Sequence, residues 1–117
     1  MTSRGEHGKL AEKIAQELLE ANQLRLLNKN YHCRYGEIDL IMLDDKTLVF
    51  VEVRFRKNHK FGGAIESIDY KKQQKIRTTA LHYLQKHNSK QNARFDVVTL
   101  SSLDDKNKIN WIKSAFE

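Results

Sequence analysis

A single cysteine, Cys33, stands in 117 residues, so no disulfide can close within the chain. That fits a reducing compartment and a cytoplasmic location. Cys33 and its neighbour His32 are too few for a zinc site, which needs several ligands at set spacing, and the thiol reads as a spectator. No apolar run approaches the length of a membrane span, so no membrane partner is expected. The first nine residues, Met1 to Lys9, hold no apolar core and include Glu6, so no export signal is expected. There are no internal repeats and no low-complexity segments. One domain over residues 1–117, large enough for a single core without staples, is the expectation.

What the chain has is charge and a patterned apolar minority. Apolar residues make up 39% and charged residues 31%, with a formal net charge of +6. A basic balance favours polyanions, nucleic acid ahead of an anionic membrane surface. From Glu6 to Asn22, Leu10, Ala11, Ile14, Ala15, Leu18 and Leu19 recur at helical spacing. Leu24 to Leu27 reads as a short strand and Asn28 to Tyr35 as polar and irregular. Gly36 to Leu43 and Thr47 to Phe55 are strands joined by a turn at Asp44 to Lys46. A basic loop, Arg56 to Gly63, precedes a second helix that Ser67 would cap and that runs to about His87, with Ile76, Ala80, Tyr83 and Leu84 as its stripe. After a polar linker at Asn88 to Asn92, Phe95 to Leu100 and Ile109 to Ile112 read as strands around a turn at Asp104 to Lys108. The order α-β-β-β-α-β-β predicts an α/β domain with a mixed central sheet flanked by helices. The run Leu48 to Val53 is apolar on both parities and suits a central strand.

Two of these strands carry acids inside apolar surroundings, at Asp39 and Glu52. A carboxylate in a sheet core is neutralised, paired or metal-bound. If Leu43 pairs with Leu48, Asp39 lies opposite Glu52 on one face, and a two-residue or four-residue turn gives that register. Strict alternation would add Glu37 and Arg54 to the same face. Two carboxylates so placed could bind Mg²⁺ or Mn²⁺, which prefer oxygen ligands, and the ion could activate water against a phosphodiester. The plain alternative is a core ion pair of Arg54 with Asp39 or with Glu52. Glu12, at the border of the first helix's stripe, is a third candidate, or else an ordinary helix glutamate paired with Lys13 or Gln16. Basic residues cluster around this region. Arg54, Arg56, Lys57, His59 and Lys60 follow the acidic strand, and Lys71, Lys72, Lys75 and Arg77 open the second helix. Both groups could contact phosphates along a groove. Gly62 and Gly63 read as a turn. Phe61 reads as a packing residue and Tyr31 and Tyr35 as loop residues, with stacking on unpaired bases as the other option.

These residues carry a family resemblance. Glu12-Lys-Ile-Ala15, Asn30-Tyr31, Gly36-Glu-Ile-Asp39-Leu-Ile41, Phe50-Val-Glu52-Val-Arg54-Phe-Arg56, Phe61-Gly62-Gly63, Lys72-Gln73, Arg94-Phe-Asp96-Val-Val98 and Trp111 to Phe116 follow one another at spacings that resemble the YraN family of uncharacterised bacterial proteins. The resemblance covers nearly the whole chain. It implies a restriction-endonuclease-like fold related to Holliday-junction resolvases, with a PD-(D/E)xK nuclease core. Asp39 and Glu52 would then be metal-binding acids, the Val53 carbonyl a further ligand, and Glu12 the helical glutamate. Lys72 and Gln73 would stand near the site from the second helix. Arg54 departs from that pattern, which has lysine. An arginine cannot act as a general base, but it can hold a phosphate or stabilise negative charge. The resulting expectation is a Mg²⁺- or Mn²⁺-dependent endonuclease on branched or otherwise structured nucleic acid, DNA ahead of RNA. Symmetric cutting would call for a homodimer. Two alternatives stand beside it: a non-catalytic nucleic-acid-binding module with a degenerate site, and a protein-interaction adaptor.

Overall fold

Three consecutive strands joined by short turns build one half of the sheet. The structure, a computed structural model, describes residues 4–57 and 68–117 (of Arg4, the backbone alone). Strands β1 (Arg25–Cys33), β2 (Gly36–Asp44) and β3 (Thr47–Phe55) pair antiparallel. Strand β4 (Ala93–Leu100) lies parallel to β3, and a parallel neighbour needs a crossover, which helix α2 (Tyr70–Lys86) supplies. Strand β5 (Ile109–Phe116) returns antiparallel to β4. The sheet order is β1-β2-β3-β4-β5, with helix α1 (Arg4–Ala21) preceding it in the chain. This is the expected α-β-β-β-α-β-β domain, in a restriction-endonuclease-like arrangement.

Each face of the sheet takes one helix. Ala11, Ala15 and Leu19 lie four residues apart on α1 and are buried against Leu40, Met42, Val49, Val51, Val98 and Leu100. Small alanines at two of those positions suit a close approach of helix to sheet. Leu10, expected in the same stripe, is 42% exposed. On the other face Ile76, Ala80 and Tyr83 of α2 pack with Ile38, Ile41, Leu48, Phe50 and Val97. Strand β3 is therefore covered on both sides, as its unbroken apolar run requires. Truncating a fully buried residue such as Leu19 to alanine costs roughly 2–5 kcal/mol in such a setting.

Several boundaries differ from the sequence expectation for identifiable reasons. Strand β1 runs to Cys33 rather than stopping at Leu27. It is an edge strand, so its polar residues face solvent while Tyr31 points inward. Tyr31 is thus a core residue rather than a loop residue, packed edge-on to Tyr83 and hydrogen-bonded to His82. Helix α2 is capped by Asp69, whose carboxylate accepts from the Lys72 backbone N–H at 2.8 Å. Ser67, the expected cap, lies outside the described residues. Strand β5 extends four residues past Ile112, across an irregularity where Ser114 adopts a φ of 50°.

Candidate active site

The β2–β3 hairpin turns on two residues, Asp45 and Lys46, with Asp45 at φ 54°, a conformation aspartate tolerates. Leu43 therefore pairs with Leu48, the register that sets Asp39 against Glu52. The main-chain ladder between β2 and β3 ends at Leu40↔Val51. At the next step the Asp39 side chain takes over: its Oδ2 accepts from the Val53 backbone N–H at 2.8 Å. In a strand, a residue's N–H and C=O point to the same edge. The Val53 carbonyl thus faces the opening that Asp39 closes.

The alternation of β2 slips at this point. Ile38 and Ile41 both pack on the α2 face, whereas Leu40 and Met42 pack on the α1 face. Strict alternation therefore does not carry Glu37 onto the face of Asp39. Glu37 is exposed at the strand's start, and its charge acts on both Asp39 and Glu12.

Asp39 and Glu52 come within hydrogen-bonding reach of each other. Glu52 is 6% exposed, and its neighbour is another carboxyl rather than a cation. Burial, and after it the Glu52 charge, pushes the Asp39 carboxyl up to about 8, with the Val53 N–H pulling the other way. An Asp39 carboxyl so placed resists ionising until a cation arrives. Glu12 approaches from α1. Asn30 Nδ2 donates to its Oε1 at 2.8 Å, from a left-handed backbone at φ 51° inside β1. Burial raises the Glu12 pKa; the Asn30 hydrogen bond opposes this, and the charges of Asp39 and Glu37 add to it.

Among the described residues no group of three or more His, Cys, Asp or Glu side chains is close enough to hold a metal. Glu12 thus stays in electrostatic range of Asp39 without completing a triad. The two carboxylates and the carbonyl edge of Val53 still fit a magnesium-like ion, which binds through one or two carboxylates and keeps several waters. Their oxygen chemistry does not suit a soft metal.

Arg54 pairs with neither acid. The ion pairs among the described residues join Arg94 to Asp44 at 2.9 Å and to Asp96 at 3.0 Å. The Arg54 Nε is buried, with no hydrogen-bond partner among the described residues. The core salt bridge that spacing allowed is therefore absent. Lys72 and Gln73 sit in the first turn of α2. Gln73 uses its amide locally, donating to the Ile68 carbonyl at 3.2 Å and accepting from Arg77 at 3.4 Å. Among the described residues no hydrogen bond joins either residue to the carboxylates, and Lys71 and Lys75 are exposed. Arg56 and Lys57 are exposed at the end of β3. His59, Lys60, Phe61, Gly62 and Gly63 lie outside the described residues. Asn30 was missed as a support of Glu12 because its polar neighbourhood reads as irregular; its signal is asparagine's tolerance of left-handed backbone.

The uncharacterised protein family UPF0102 matches this chain over residues 11–100. A UPF0102 protein from Nitrosomonas europaea is 49% identical over 117 residues, covering 100% of this chain and 98% of its own. A second, from Legionella pneumophila subsp. pneumophila, is 51% identical over 114 residues, covering 96% of this chain and 95% of its own. A third, from Stutzerimonas stutzeri, is 45% identical over 119 residues, covering 100% and 99%. These matches bear out the resemblance carried by the sequence motifs. Among the described residues no helix is long and apolar enough to cross a membrane.

Proposed function

This chain belongs to the UPF0102 family, and from that premise we propose that it is a metal-dependent endonuclease acting on branched or otherwise structured DNA. The observation that carries the reading is the abutting pair Asp39 and Glu52, set beside the open edge of Val53 in a nuclease-like fold. Asp39, Glu52 and the Val53 carbonyl would hold Mg²⁺ or Mn²⁺. Such an ion, when bound, supplies a Lewis acid for a phosphoryl oxygen and a water of lowered pKa. The chain's own residues do the rest. Asp39 would give up its proton and, with Glu52, offer carboxylate oxygens to the ion. Arg54, with a buried Nε that has no hydrogen-bond partner among the described residues, offers its guanidinium to a phosphate, for which its planar fork is suited. Glu12, held by Asn30, supports the site from α1 and can hydrogen-bond water on its way to the phosphorus. Lys71, Lys72 and Lys75 on α2, with Arg56 and Lys57 after β3, bind backbone phosphates and so give affinity rather than sequence preference. Lys60 belongs to the same proposal through its place in the basic run after β3, and Gln73 through the family resemblance. With one site per chain, symmetric cutting of two strands requires two copies.

The test is cleavage of four-way junction, flap, single-stranded and linear duplex DNA with Mg²⁺ or Mn²⁺, with Asp39→Ala and Glu52→Ala alongside. The nuclease reading expects cleavage by the wild type, loss of cleavage in both variants, and retained binding. Equal cleavage by the variants would sink it. A second reading, a binding module without catalysis, is favoured by the absence of a third close ligand among the described residues and by arginine at position 54. It expects salt-dependent binding and no cleavage with any divalent ion.

A further inference from the structure

The acidic pair is not the only feature at the end of β3. Past Val51 the strand loses β2 as a neighbour, and a concavity of about 540 Å³ opens between the end of β3 and the start of α1. His7 and Gly8 line it from the helix, and Val53, Arg54, Arg56 and Lys57 line it from the strand. Its charged lining is three cations, with no acid. His7 packs edge-on against Phe55, which fixes one wall. The buried, unpartnered Nε of Arg54 belongs to the same lining.

Gly8 is the anomaly. It lies inside α1, where glycine disfavours the helix relative to alanine. No positive φ requires it, and a Cβ built there would meet nothing within 4 Å among the described residues. Neither backbone conformation nor packing among the described residues explains a missing side chain at this position. What the absence does provide is room for something outside the chain to lie against the helix.

We propose that this concavity seats the sugar–phosphate backbone of a nucleic-acid strand next to the reacting phosphate, with Arg54, Arg56 and Lys57 as its phosphate contacts and Gly8 as the residue that admits the strand against α1. The inference rests on the nucleic-acid reading above and adds the path of the strand. An external backbone is the occupant that uses both halves of the lining. Cations on the β3 side meet phosphate oxygens, while a bare stretch of helix lets the sugars approach closely.

The test is binding of a labelled single-stranded oligonucleotide by the full chain, without divalent ion, across a salt series, together with thermal melting. Gly8→Leu is expected to melt at or above the wild-type temperature, because leucine favours helix over glycine, and to bind at least tenfold more weakly. Gly8→Ala should melt higher too, with a smaller loss of affinity. Lys57→Ala should lower the slope of log K against log salt by about 0.7, the value for one single-strand phosphate contact. A stable Gly8→Leu chain that binds as the wild type does would overturn the proposed path while leaving nucleic-acid binding intact. A Gly8→Leu chain that fails to fold would overturn it too, since the space beside Gly8 would then be filled. A wild type that binds no nucleic acid at low salt would overturn both this path and the function it rests on.

Discussion

Asp96 and Asp39 are both acids lodged in one sheet, on strands that flank β3, yet their surroundings are opposite. Asp96 is fully buried and takes hydrogen bonds from Arg94 Nε at 3.0 and 3.2 Å, Trp111 Nε1 at 2.9 Å and the Ser114 backbone N–H at 2.9 Å. Three donors from β4 and β5 close around it, and the Arg94 guanidinium reaches on to Asp44 at 2.9 Å. Asp39 takes one backbone N–H and otherwise faces another carboxyl. An acid whose oxygens are already met by a cation and by N–H groups is a folding device, and in this protein it pins the irregular end of β5. An acid left short of donors beside a second acid is unstable in its charged form until a cation comes from outside. Burial alone does not separate the two roles; what surrounds each oxygen does.

The comparison breaks most visibly if Asp96 is not structural. Asp96→Ala leaves the Arg94 cation with Asp44 alone and strands two N–H donors, and removal of one partner from a buried pair costs roughly 3–5 kcal/mol. Urea denaturation should show a loss of that order, and amide exchange should show β5 opening first. A loss below about 1 kcal/mol, the scale of an exposed pair, would refute the contrast.

Asp39 should respond in the opposite direction. Its carboxyl titrates near 8 in the folded chain, against an ordinary value of 3.8. A folded pKa above the unfolded one means that the folded state holds the proton more tightly. The stabilisation is therefore complete below about 3.8 and is lost as pH rises through about 8. Metal-free protein should accordingly weaken across that window. Asp39→Asn, which stays neutral, should flatten the profile and be more stable than the wild type at the alkaline end. Urea midpoints measured at several pH values check this, and an alkaline loss for Asp39→Asn equal to that of the wild type would contradict it. The same proton competes with a cation. Added Mg²⁺ should raise the melting temperature of the wild type more above pH about 8 than below it, and should leave Asp39→Asn nearly unmoved. Calorimetry showing the same Mg²⁺ response in both proteins would place the ion elsewhere.

Much of this contrast was legible in the sequence, though unevenly. The register that opposes Asp39 to Glu52 follows from a two-residue turn and two apolar runs, because a slip of one residue would have exposed a buried face. Both helices follow from their periodicity. The ladder break after Leu40 does not, because it depends on a side chain taking a backbone N–H, which period-two reasoning has no way to represent. The same limit misplaced Glu37 and hid the reach of β5, whose last turn is held by Asp96 through the Ser114 N–H rather than by its own pattern. Arg54 shows a third limit. Spacing brought it near two acids, but only the fold shows that it pairs with neither.

The smallest expected effect concerns Glu12, which stands between the two extremes, with one donor from Asn30 and the charge of Asp39 nearby. Asn30 holds a left-handed φ of 51°, which asparagine tolerates and alanine resists, while glycine adopts it freely. Asn30→Ala loses the hydrogen bond and adds backbone strain, so it should cost about 1–2 kcal/mol by urea denaturation. Asn30→Gly loses the same bond without the strain and should cost less. If Glu12 serves the site, the two variants should lose cleavage equally despite their different stabilities, since both leave its carboxylate unheld. Cleavage that instead tracked stability would make Asn30 a feature of strand β1 alone and would move Glu12 to the structural side of the comparison.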